Sequence, residues 1–397
     1  MDFDPQWLLW LAVAFGGGFA LGWLASRLDA RQFRRERQES PKVYYKGLNL
    51  LLNEQHDKAI DAFIEAVQQD PDTSELHFAL GDLFRRRGEY ERAVRVHQHL
   101  LGRADLTRQE RDQAQHGLAQ DYLKAGLFDR AEEAYQALAG TRFDTEARLA
   151  LLHLHERSRD WRAALAVAEQ LEKSGSGSFA SRIAHYHCEL ALEADASGQR
   201  DAADAGLARA RDAAPGDARP LVLSGELAAA RGDHGAALRW WNTLMAVRPA
   251  AFNLVAKRYA ASARSAGETG AALARLQSLY DKSPTLDLLE SSAALQDDDD
   301  SRRERLLAHL REHPTLGAAQ TLLAVAAQAG SGVSDATGSA ALAPAEAAAV
   351  RDAVRRAARP LHRYRCAACG FEAEHYFWQC PGCLGWDTYP PQRLEDQ

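Results

Sequence analysis

Four cysteines near the C-terminal end are the residues of this sequence best suited to chemistry. Cys366, Cys369, Cys380 and Cys383 form the pattern C-x2-C-x10-C-x2-C. Two Cys-x-x-Cys turns of this kind direct two thiolates each at one tetrahedral ion. Four thiolates suit zinc, with Zn–S bonds of about 2.3 Å, and they also suit a single iron ion of the rubredoxin type. The spacing therefore predicts one metal ion held by four cysteines and leaves zinc and iron both open.

The residues around the four cysteines fit a closed site. Gly370 and Gly382 are expected to let the backbone fold around the ion and to donate N–H groups to sulfur. His375 lies between the two pairs, but four thiolates already complete a tetrahedron, so we predict a surface or packing role for it. Two disulfides would need an oxidising compartment, which the topology inferred below argues against. Cys188 stands alone and is predicted to be a small buried hydrophobic residue.

The cysteine pattern also bears on the class of function. Four protein ligands leave no open metal position for an activated water, and the sequence shows neither a nucleophile–base set nor a phosphate-binding glycine loop, so we predict that the protein is not an enzyme. A one-electron carrier stays open if the ion is iron. A zinc ribbon that binds nucleic acid is a further alternative, but the net charge of −7 and the acidic residues Glu372 and Glu374 disfavour it.

The elements that must position this site are helical. The chain has 397 residues and is 46% hydrophobic, so it can bury more than one core. Alanine, leucine and arginine recur while β-branched residues are sparse, and this composition favours helix over sheet. We therefore predict an all-α fold with more than one structural unit.

A repeat of 34 residues runs through the middle of the chain. Gly47 and Ala59 are followed at that spacing by Gly81 and Ala93, and the same step links Ala203 to Ala237. This is tetratricopeptide spacing. Small residues at these positions allow two antiparallel helices to approach closely, while larger residues fill the next layer and proline ends the second helix. The pattern predicts a solenoid of six or seven helical hairpins.

Hairpin arrays of this kind present the first helix of each pair on a long concave surface that binds peptides or proteins. The usual groove positions predict partner-binding residues in the second and third repeats, and the alternative for each is a plain solvated helix face. These residues are Asp82, Arg85, Arg86, His116, Gln120 and Lys124.

The N-terminal residues predict a membrane anchor. Trp7–Ser26 contains no charged residue, and a helix of that length spans about 30 Å, which is the thickness of the bilayer hydrocarbon. Arg27, Arg31 and further arginines follow the run, so the C-terminal part is predicted to be cytoplasmic. A cleaved signal peptide lacks support because the basic residues are on the wrong side. Gly18-x-x-x-Gly22 offers a face for pairing, and thus for a homodimer.

These patterns divide the chain into seven predicted segments. The sequence of glycine, serine and alanine after residue 329 predicts a flexible linker, and the adjacent aspartates Asp297–Asp300 are predicted to be a solvated loop or helix start. The segments are a transmembrane anchor (1–28), a basic juxtamembrane segment (29–40), tetratricopeptide repeats (41–284), degenerate helical repeats (285–329), the linker (330–342), a helix (343–361) and a rubredoxin-like metal-binding domain (362–391).

The order of these parts resembles a known family. The anchor is followed by the repeat segments LGDLFRRRGEYERAVRVHQHLL, AGLFDRAEEAY and IAHYHCELAL and by the ending YRCAACGFEAEHYFWQCPGCLGWDTYPP. This arrangement is similar to the lipopolysaccharide assembly protein B family of Gram-negative bacteria. The resemblance covers essentially the whole chain, and it is loosest in the middle repeats and over residues 285–341.

The resemblance implies a non-enzymatic adaptor at the bacterial inner membrane. In that family the protein helps a membrane AAA+ zinc protease to degrade the deacetylase of early lipid A synthesis, and it thereby limits lipopolysaccharide production. The implied partners are this protease, the deacetylase and the membrane, with no nucleic acid. A tether, a partner surface and a rigid terminal domain are what such an adaptor needs.

The arginines that follow the apolar run generate a test of topology. A cytoplasmic reporter fused after Gln397 should be active and a periplasmic reporter should be inactive, because the positive residues stay on the cytoplasmic side. Paired fusions to a cytoplasmic and a periplasmic reporter measure this directly. Activity of the periplasmic reporter would overturn the topology and the argument against disulfides.

Overall fold

The computed structural model describes residues 19, 46–47, 49–50, 52–53, 55–69, 73–296, 299–328 and 344–396 of the chain. Within these residues the chain is built from helical hairpins, followed by a small domain with short strands. It divides into two units, Met1–Leu154 and His155–Gln397, and the boundary lies inside one helix. The predicted all-α repeat architecture is confirmed.

The first unit contains the following helices: α1 (His56–Gln69), α2 (Ser74–Arg86), α3 (Tyr90–Leu101), α4 (Arg108–Lys124), α5 (Phe128–Gln136) and the greater part of α6 (Asp144–Ser158). Residues 46–47, 49–50 and 52 are also helical. Phe63, Leu83, Phe84 and Ala93 are buried in the core formed by α1, α2 and α3.

The second unit continues the hairpins with α7 (Trp161–Lys173), α8 (Ala180–Ala196), α9 (Arg200–Ala213), α10 (Ala218–Ala230), α11 (His234–Val247), α12 (Ala256–Ser265), α13 (Thr269–Tyr280), α14 (Leu286–Ala294), α15 (Asp299–Glu312), α16 (Leu316–Gln328) and α17 (Pro344–Ala358). A 3-10 helix at Pro249–Leu254 joins α11 to α12. The largest described core of this unit surrounds Trp241, Phe252 and Tyr259.

The six hairpins from α2–α3 to α12–α13 turn in the same way. The residue after the first helix's C-cap adopts a left-handed conformation, and the next N–H donates to a carbonyl oxygen five residues earlier, which is the Schellman pattern. Arg159 takes the left-handed place after α6, with φ of 58°. Glycine supplies it in the others, namely Gly88, Gly126, Gly198, Gly232 and Gly267, and the N–H donors that follow are those of Glu89, Leu127, Gln199, Asp233 and Glu268.

Close approach of the two helices depends on an absent side chain on the first one. A Cβ added at Gly81 would lie 2.6 Å from the His97 ring, and one added at Gly47 would lie 2.8 Å from Phe63. The same clash would arise at Gly225 against Trp241, whose Nε1 donates to the Val222 carbonyl at 3.3 Å. The glycines that mark the repeat therefore leave space for the large residue 16 positions later.

The C-terminal domain is small and has little regular structure. Strands β1 (Tyr364–Arg365) and β2 (Glu372–Ala373) pair antiparallel, with Tyr364 opposite Ala373. An isolated bridge joins Gln379 to Trp386. The strand pair flanks the first cysteine turn, and the bridge flanks the second.

Three predicted segments fall on residues that the structure does not describe. The anchor (1–28), with its apolar run Trp7–Ser26, is outside the described residues except for Phe19, and so are the basic juxtamembrane segment (29–40) and the linker (330–342). Among the residues that are described, no helix combines the length and the apolar character needed to cross a bilayer. The anchor stays a prediction.

The contact between Gly225 and Trp241 generates a test of the repeat packing. Gly225→Ala should lower the free energy of unfolding by about 1 to 2 kcal/mol, because overpacking against a fixed indole outweighs the better helix propensity of alanine. Urea unfolding followed by circular dichroism measures this. Gly270→Ala is the matched control, since Gly270 is helical and a Cβ there meets nothing within 4 Å. Equal stability of the two variants would contradict this account.

Candidate metal centre and its contact with the repeats

The four predicted ligands converge in space. The sulfur atoms of Cys366, Cys369, Cys380 and Cys383 all lie within 4.8 Å of one another. Sγ of Cys366 lies 3.8 Å from that of Cys383, and Sγ of Cys369 lies 3.6 Å from that of Cys380. A tetrahedron with metal–sulfur bonds of about 2.3 Å has edges of about 3.8 Å. The cluster therefore fits one ion, whereas these distances are far too long for a disulfide bond, which is about 2.05 Å.

The two cysteine turns share one backbone design. Gly370 N–H donates to the Cys366 carbonyl at 2.9 Å, and Leu384 N–H donates to the Cys380 carbonyl at 2.8 Å. Gly370 and Leu384 both have positive φ, at 77° and 58°. Gly382 N–H donates to Sγ of Cys380 at 3.3 Å, as expected. The Gly370 N–H, by contrast, is directed at a carbonyl oxygen, because the tight turn closes on Cys366.

The surroundings of the thiols favour a bound cation. Desolvation raises the pKa of Cys366, but hydrogen bonds from Thr388 and from the backbone of Cys369 and Ala368 outweigh it and bring the pKa to about 6. The hydrogen bond from the Phe371 N–H lowers the pKa of Cys369, but desolvation and the neighbouring thiols together outweigh it and raise the pKa to about 12. Thiols this close do not all ionise without a positive charge between them. A divalent ion supplies that charge, and its binding releases the protons.

Burial divides the cluster into two halves. Cys366 and Cys380 are buried, whereas Cys369 and Cys383 are exposed. His375 is exposed and is not part of the four-sulfur cluster. Cys188 is fully buried, and burial raises its pKa to about 12. The structure therefore places both residues as the sequence predicted, outside the centre.

The metal-binding domain is docked on the repeat helices of the second unit. The Trp386 ring stacks on His185 of α8, with centroids 4.5 Å apart and planes 15° apart. Trp386 Nε1 donates to Glu156 Oε1 at 2.9 Å, and the Tyr186 hydroxyl donates to the same oxygen at 2.5 Å. The buried Glu156 carboxylate thus connects the repeat core to the domain.

A second polar contact lies beside the tryptophan. His185 Nε2 lies 2.7 Å from Asp387 Oδ2, and Ser181 Oγ lies 3.4 Å from the same oxygen. The Arg219 guanidinium lies 5.5 Å from the centre of the Trp386 ring, in cation–π range. Trp386 and Asp387 thus form a clasp, and we use the term docking clasp for these two residues.

The C-terminal tail makes a further attachment. Glu395 Oε2 accepts a hydrogen bond of 3.0 Å from Gly317 N–H at the start of α16. Arg393 Nε lies 3.5 Å from Asp287 of α14. Leu394 N–H donates to the Arg363 carbonyl at 2.9 Å. These contacts join the tail to two repeat helices and to the base of the metal-binding domain.

Sequence reasoning missed the docking clasp and its partners His185 and Glu156. Trp386 and Asp387 lie three and four residues after Cys383 of the second cysteine turn. A large aromatic side chain beside a small four-cysteine site with little core of its own is a signal that the site packs on something else. The identity of the partner helix carries no local signal.

Some of the six predicted groove residues already contact neighbouring side chains of the protein, and others are exposed. Arg85 pairs with Asp82 and lies 2.8 Å from the buried Asp121, which also lies 2.6 Å from His97 Nδ1. Asp82 and Arg85 are half-buried, and Arg86 is exposed.

His116 is buried rather than presented to a partner. Its ring stacks on Phe143 with centroids 4.4 Å apart, and its Nε2 lies 3.3 Å from Glu146 and 3.3 Å from Nε2 of Gln120. Burial lowers the pKa of His116, while the Glu146 carboxylate opposes that change. Lys124 is exposed at the end of α4. A partner-binding role for these six residues stays a prediction.

Comparison with known proteins agrees with this geometry. A family described as "Rubredoxin metal binding domain" matches residues 364–390. The lipopolysaccharide assembly protein B of Escherichia coli (strain K12) is 31% identical over 382 residues, which cover 94% of this chain and 95% of that protein. The chain belongs to the lipopolysaccharide assembly protein B family. The suspected family and the rubredoxin-like character of the terminal domain are thereby confirmed.

More distant relatives extend the comparison. The lipopolysaccharide assembly protein B of Haemophilus influenzae is 24% identical over 404 residues, with 94% of this chain and 95% of that protein covered. Among solved structures, a tetratricopeptide repeat protein from Parabacteroides merdae aligns with a TM-score of 0.33 at 15% identity, over 65% of this chain and 99% of the other.

The four-sulfur geometry generates a test of metal binding. The full chain should carry about one zinc or iron ion, and Cys366→Ser combined with Cys369→Ser should remove it and unfold the terminal domain, because two ligands cannot hold the turns around an ion. Elemental analysis and limited proteolysis measure the two effects, and visible absorption distinguishes iron from zinc. Cys188→Ala removes a thiol outside the cluster and should leave the metal content unchanged. A metal-free variant with an intact terminal domain would contradict this account.

Proposed function

We propose that this protein is a membrane-tethered cytoplasmic adaptor that limits lipopolysaccharide synthesis. It would promote degradation of the lipid A pathway deacetylase by a membrane AAA+ zinc protease. The observation that carries the proposal is membership of the lipopolysaccharide assembly protein B family over 94% of the chain. The printed names of the relatives concern assembly of lipopolysaccharide, and the protease and deacetylase come from the family resemblance.

The repeats supply a partner surface in this proposal. First helices of tetratricopeptide hairpins recognise peptides and proteins through their exposed positions. Arg86 and Lys124 are exposed on α2 and α4, whereas Arg85 and His116 already contact Asp121 and Glu146. The engaged residues would therefore fix the shape of the surface, and the exposed cations would contact the partner.

The metal-binding domain gives the second unit a fixed end. The ion would hold the two cysteine turns, and the docking clasp attaches the domain to α8 through His185. A domain of this size has too small a core to hold its fold without such a cross-link. Its role in the proposal is non-catalytic, because four cysteine ligands leave no place at the ion for water or substrate.

The proposed tether acts through concentration. An anchor at Trp7–Ser26 in the bacterial inner membrane would confine the repeats beside a membrane protease, which raises their effective concentration without any new contact. Degradation should therefore depend on the anchor even where the rest of the chain folds.

One alternative function has an observation in its favour. Two of the four ligands, Cys369 and Cys383, are exposed, and an exposed edge of an iron–sulfur site would let an electron leave it. A one-electron carrier would need iron in the centre and a redox partner. This alternative predicts a redox defect and an unchanged deacetylase half-life when the protein is depleted.

The deacetylase half-life tests the proposal. Depletion of the protein should lengthen this half-life several-fold without changing transcription, because the protease loses its adaptor, and lipopolysaccharide should accumulate. Pulse-chase labelling measures the half-life. Deletion of residues 7–26 and the Cys366→Ser, Cys369→Ser double variant should each reproduce much of the effect. An unaltered half-life in depleted and in anchorless cells would refute the adaptor assignment.

The docking clasp allows a sharper comparison. Trp386→Ala should keep the metal ion but release the domain from Glu156 and His185, and we expect it to slow degradation. Phe371→Ala is the matched control, since Phe371 is an exposed aromatic residue of the same domain, with 43% of its surface accessible. Metal content and proteolysis of both variants show whether the domain itself is still folded.

A further inference from the structure

An arginine-rich cleft lies between α17 and the metal-binding domain. Its volume is about 510 Å³, which is in the range of small-molecule sites of about 300 to 1,000 Å³. Its charged walls come from the last turns of α17, from the loop before the second cysteine turn and from the C-terminal tail. These residues are Arg355, Arg356, Arg359, Glu374, His375 and Arg393. None of the four metal ligands lines the cleft.

The charge of the cleft is opposite to that of the chain. Four arginines face one glutamate among its lining residues, and lysine is absent from the lining, whereas the whole chain has a net charge of −7. Concave surfaces lined by one sign of charge concentrate the field and attract the opposite ion. The cleft is therefore suited to an anion.

The guanidinium groups keep donors for such an anion. Arg355 uses Nη2 for Asp352, at 2.6 Å, and Arg359 Nη2 lies 3.6 Å from Glu374. Arg393 Nη1 donates to His362 Nδ1 at 3.0 Å, and Arg393 Nε lies 3.5 Å from Asp287. Each guanidinium has five N–H donors, so these contacts leave several unused. Arg355, Arg356 and Arg359 are exposed.

We propose that this cleft binds a ligand that carries a phosphomonoester or diphosphate group. Arginine presents a planar fork of donors that matches phosphate oxygens in pairs, and this geometry explains a lining of arginines without lysine. His375 and Glu374 also line the cleft, where they can bond hydroxyl groups next to the phosphate. The phosphate can come from a soluble metabolite or from a lipid headgroup. This inference is independent of the proposed adaptor function.

Calorimetric titration of the full-length chain in dodecyl maltoside tests the proposal, with inorganic pyrophosphate as the probe and sodium chloride at matched ionic strength as the blank. Wild-type protein should bind pyrophosphate saturably at about one site. Arg356→Gln and Arg355→Gln should each weaken binding by about tenfold or more, which corresponds to one lost charge-assisted contact. Arg311→Gln is the matched control, because Arg311 is an exposed arginine in the last turn of α15.

Two further titrations identify the source of the phosphate. Dihexanoyl phosphatidic acid that binds about tenfold tighter than glycerol 3-phosphate would indicate a lipid headgroup, and equal binding of the two would indicate a soluble ligand. Both results support the cleft as a phosphate site. The proposal is overturned if wild-type protein shows no saturable binding of any probe. It is also overturned if Arg356→Gln and Arg355→Gln, at unchanged thermal stability, bind as tightly as the Arg311→Gln control.

Discussion

The structure depends on the close approach of paired helices, which a missing side chain makes possible. Gly225 faces the Trp241 ring, and Gly81 faces His97, with no space for a methyl group at either position. A hairpin cannot bury its apolar face alone, so each pair needs the next one for a complete core. Because dispersion contacts fall steeply with separation, a shift of even one ångström between these helices would loosen the stack. This packing positions the first helix of each hairpin, which carries the predicted groove residues.

The metal-binding domain has a different source of order. Its short strands and two turns enclose little apolar volume, with Cys366, Cys380 and Tyr389 as the buried residues of its described core. The bound ion would replace the missing core by fixing four points of the backbone at once. The domain and the repeats are therefore stabilised by separate interactions and are joined at the docking clasp. Loss of docking should therefore leave the ion bound.

The contact between the repeats and the metal-binding domain buries a carboxylate, which costs free energy unless that group is fully hydrogen-bonded. Glu156 is only 3% accessible, and a buried carboxylate must recover its hydration through hydrogen bonds. It accepts from the Tyr186 hydroxyl and from the Trp386 indole, and burial with the nearby Glu156 charge raises the pKa of Tyr186, so that the phenol stays a donor. Such a network is stable only in the docked geometry that satisfies all of its hydrogen bonds. This specificity fixes the orientation of the domain on α8.

The sequence by itself determined the repeat architecture and the metal cluster, because both are encoded by short spacings. The step from Gly47 to Gly81 reflects a helix contact that recurs from one hairpin to the next. The two Cys-x-x-Cys pairs reflect a contact within one small domain. Only the tertiary structure decided where the domain docks, since His185 and Asp387 are 202 residues apart, and no local pattern links them. The tertiary structure also decided which groove residues are available. The sequence predicted Arg85 and His116 as partner-binding residues, but the carboxylates of Asp121 and Glu146 on neighbouring helices already contact them. Periodicity identifies a helix face, whereas the side chains that meet it depend on how the helices stack.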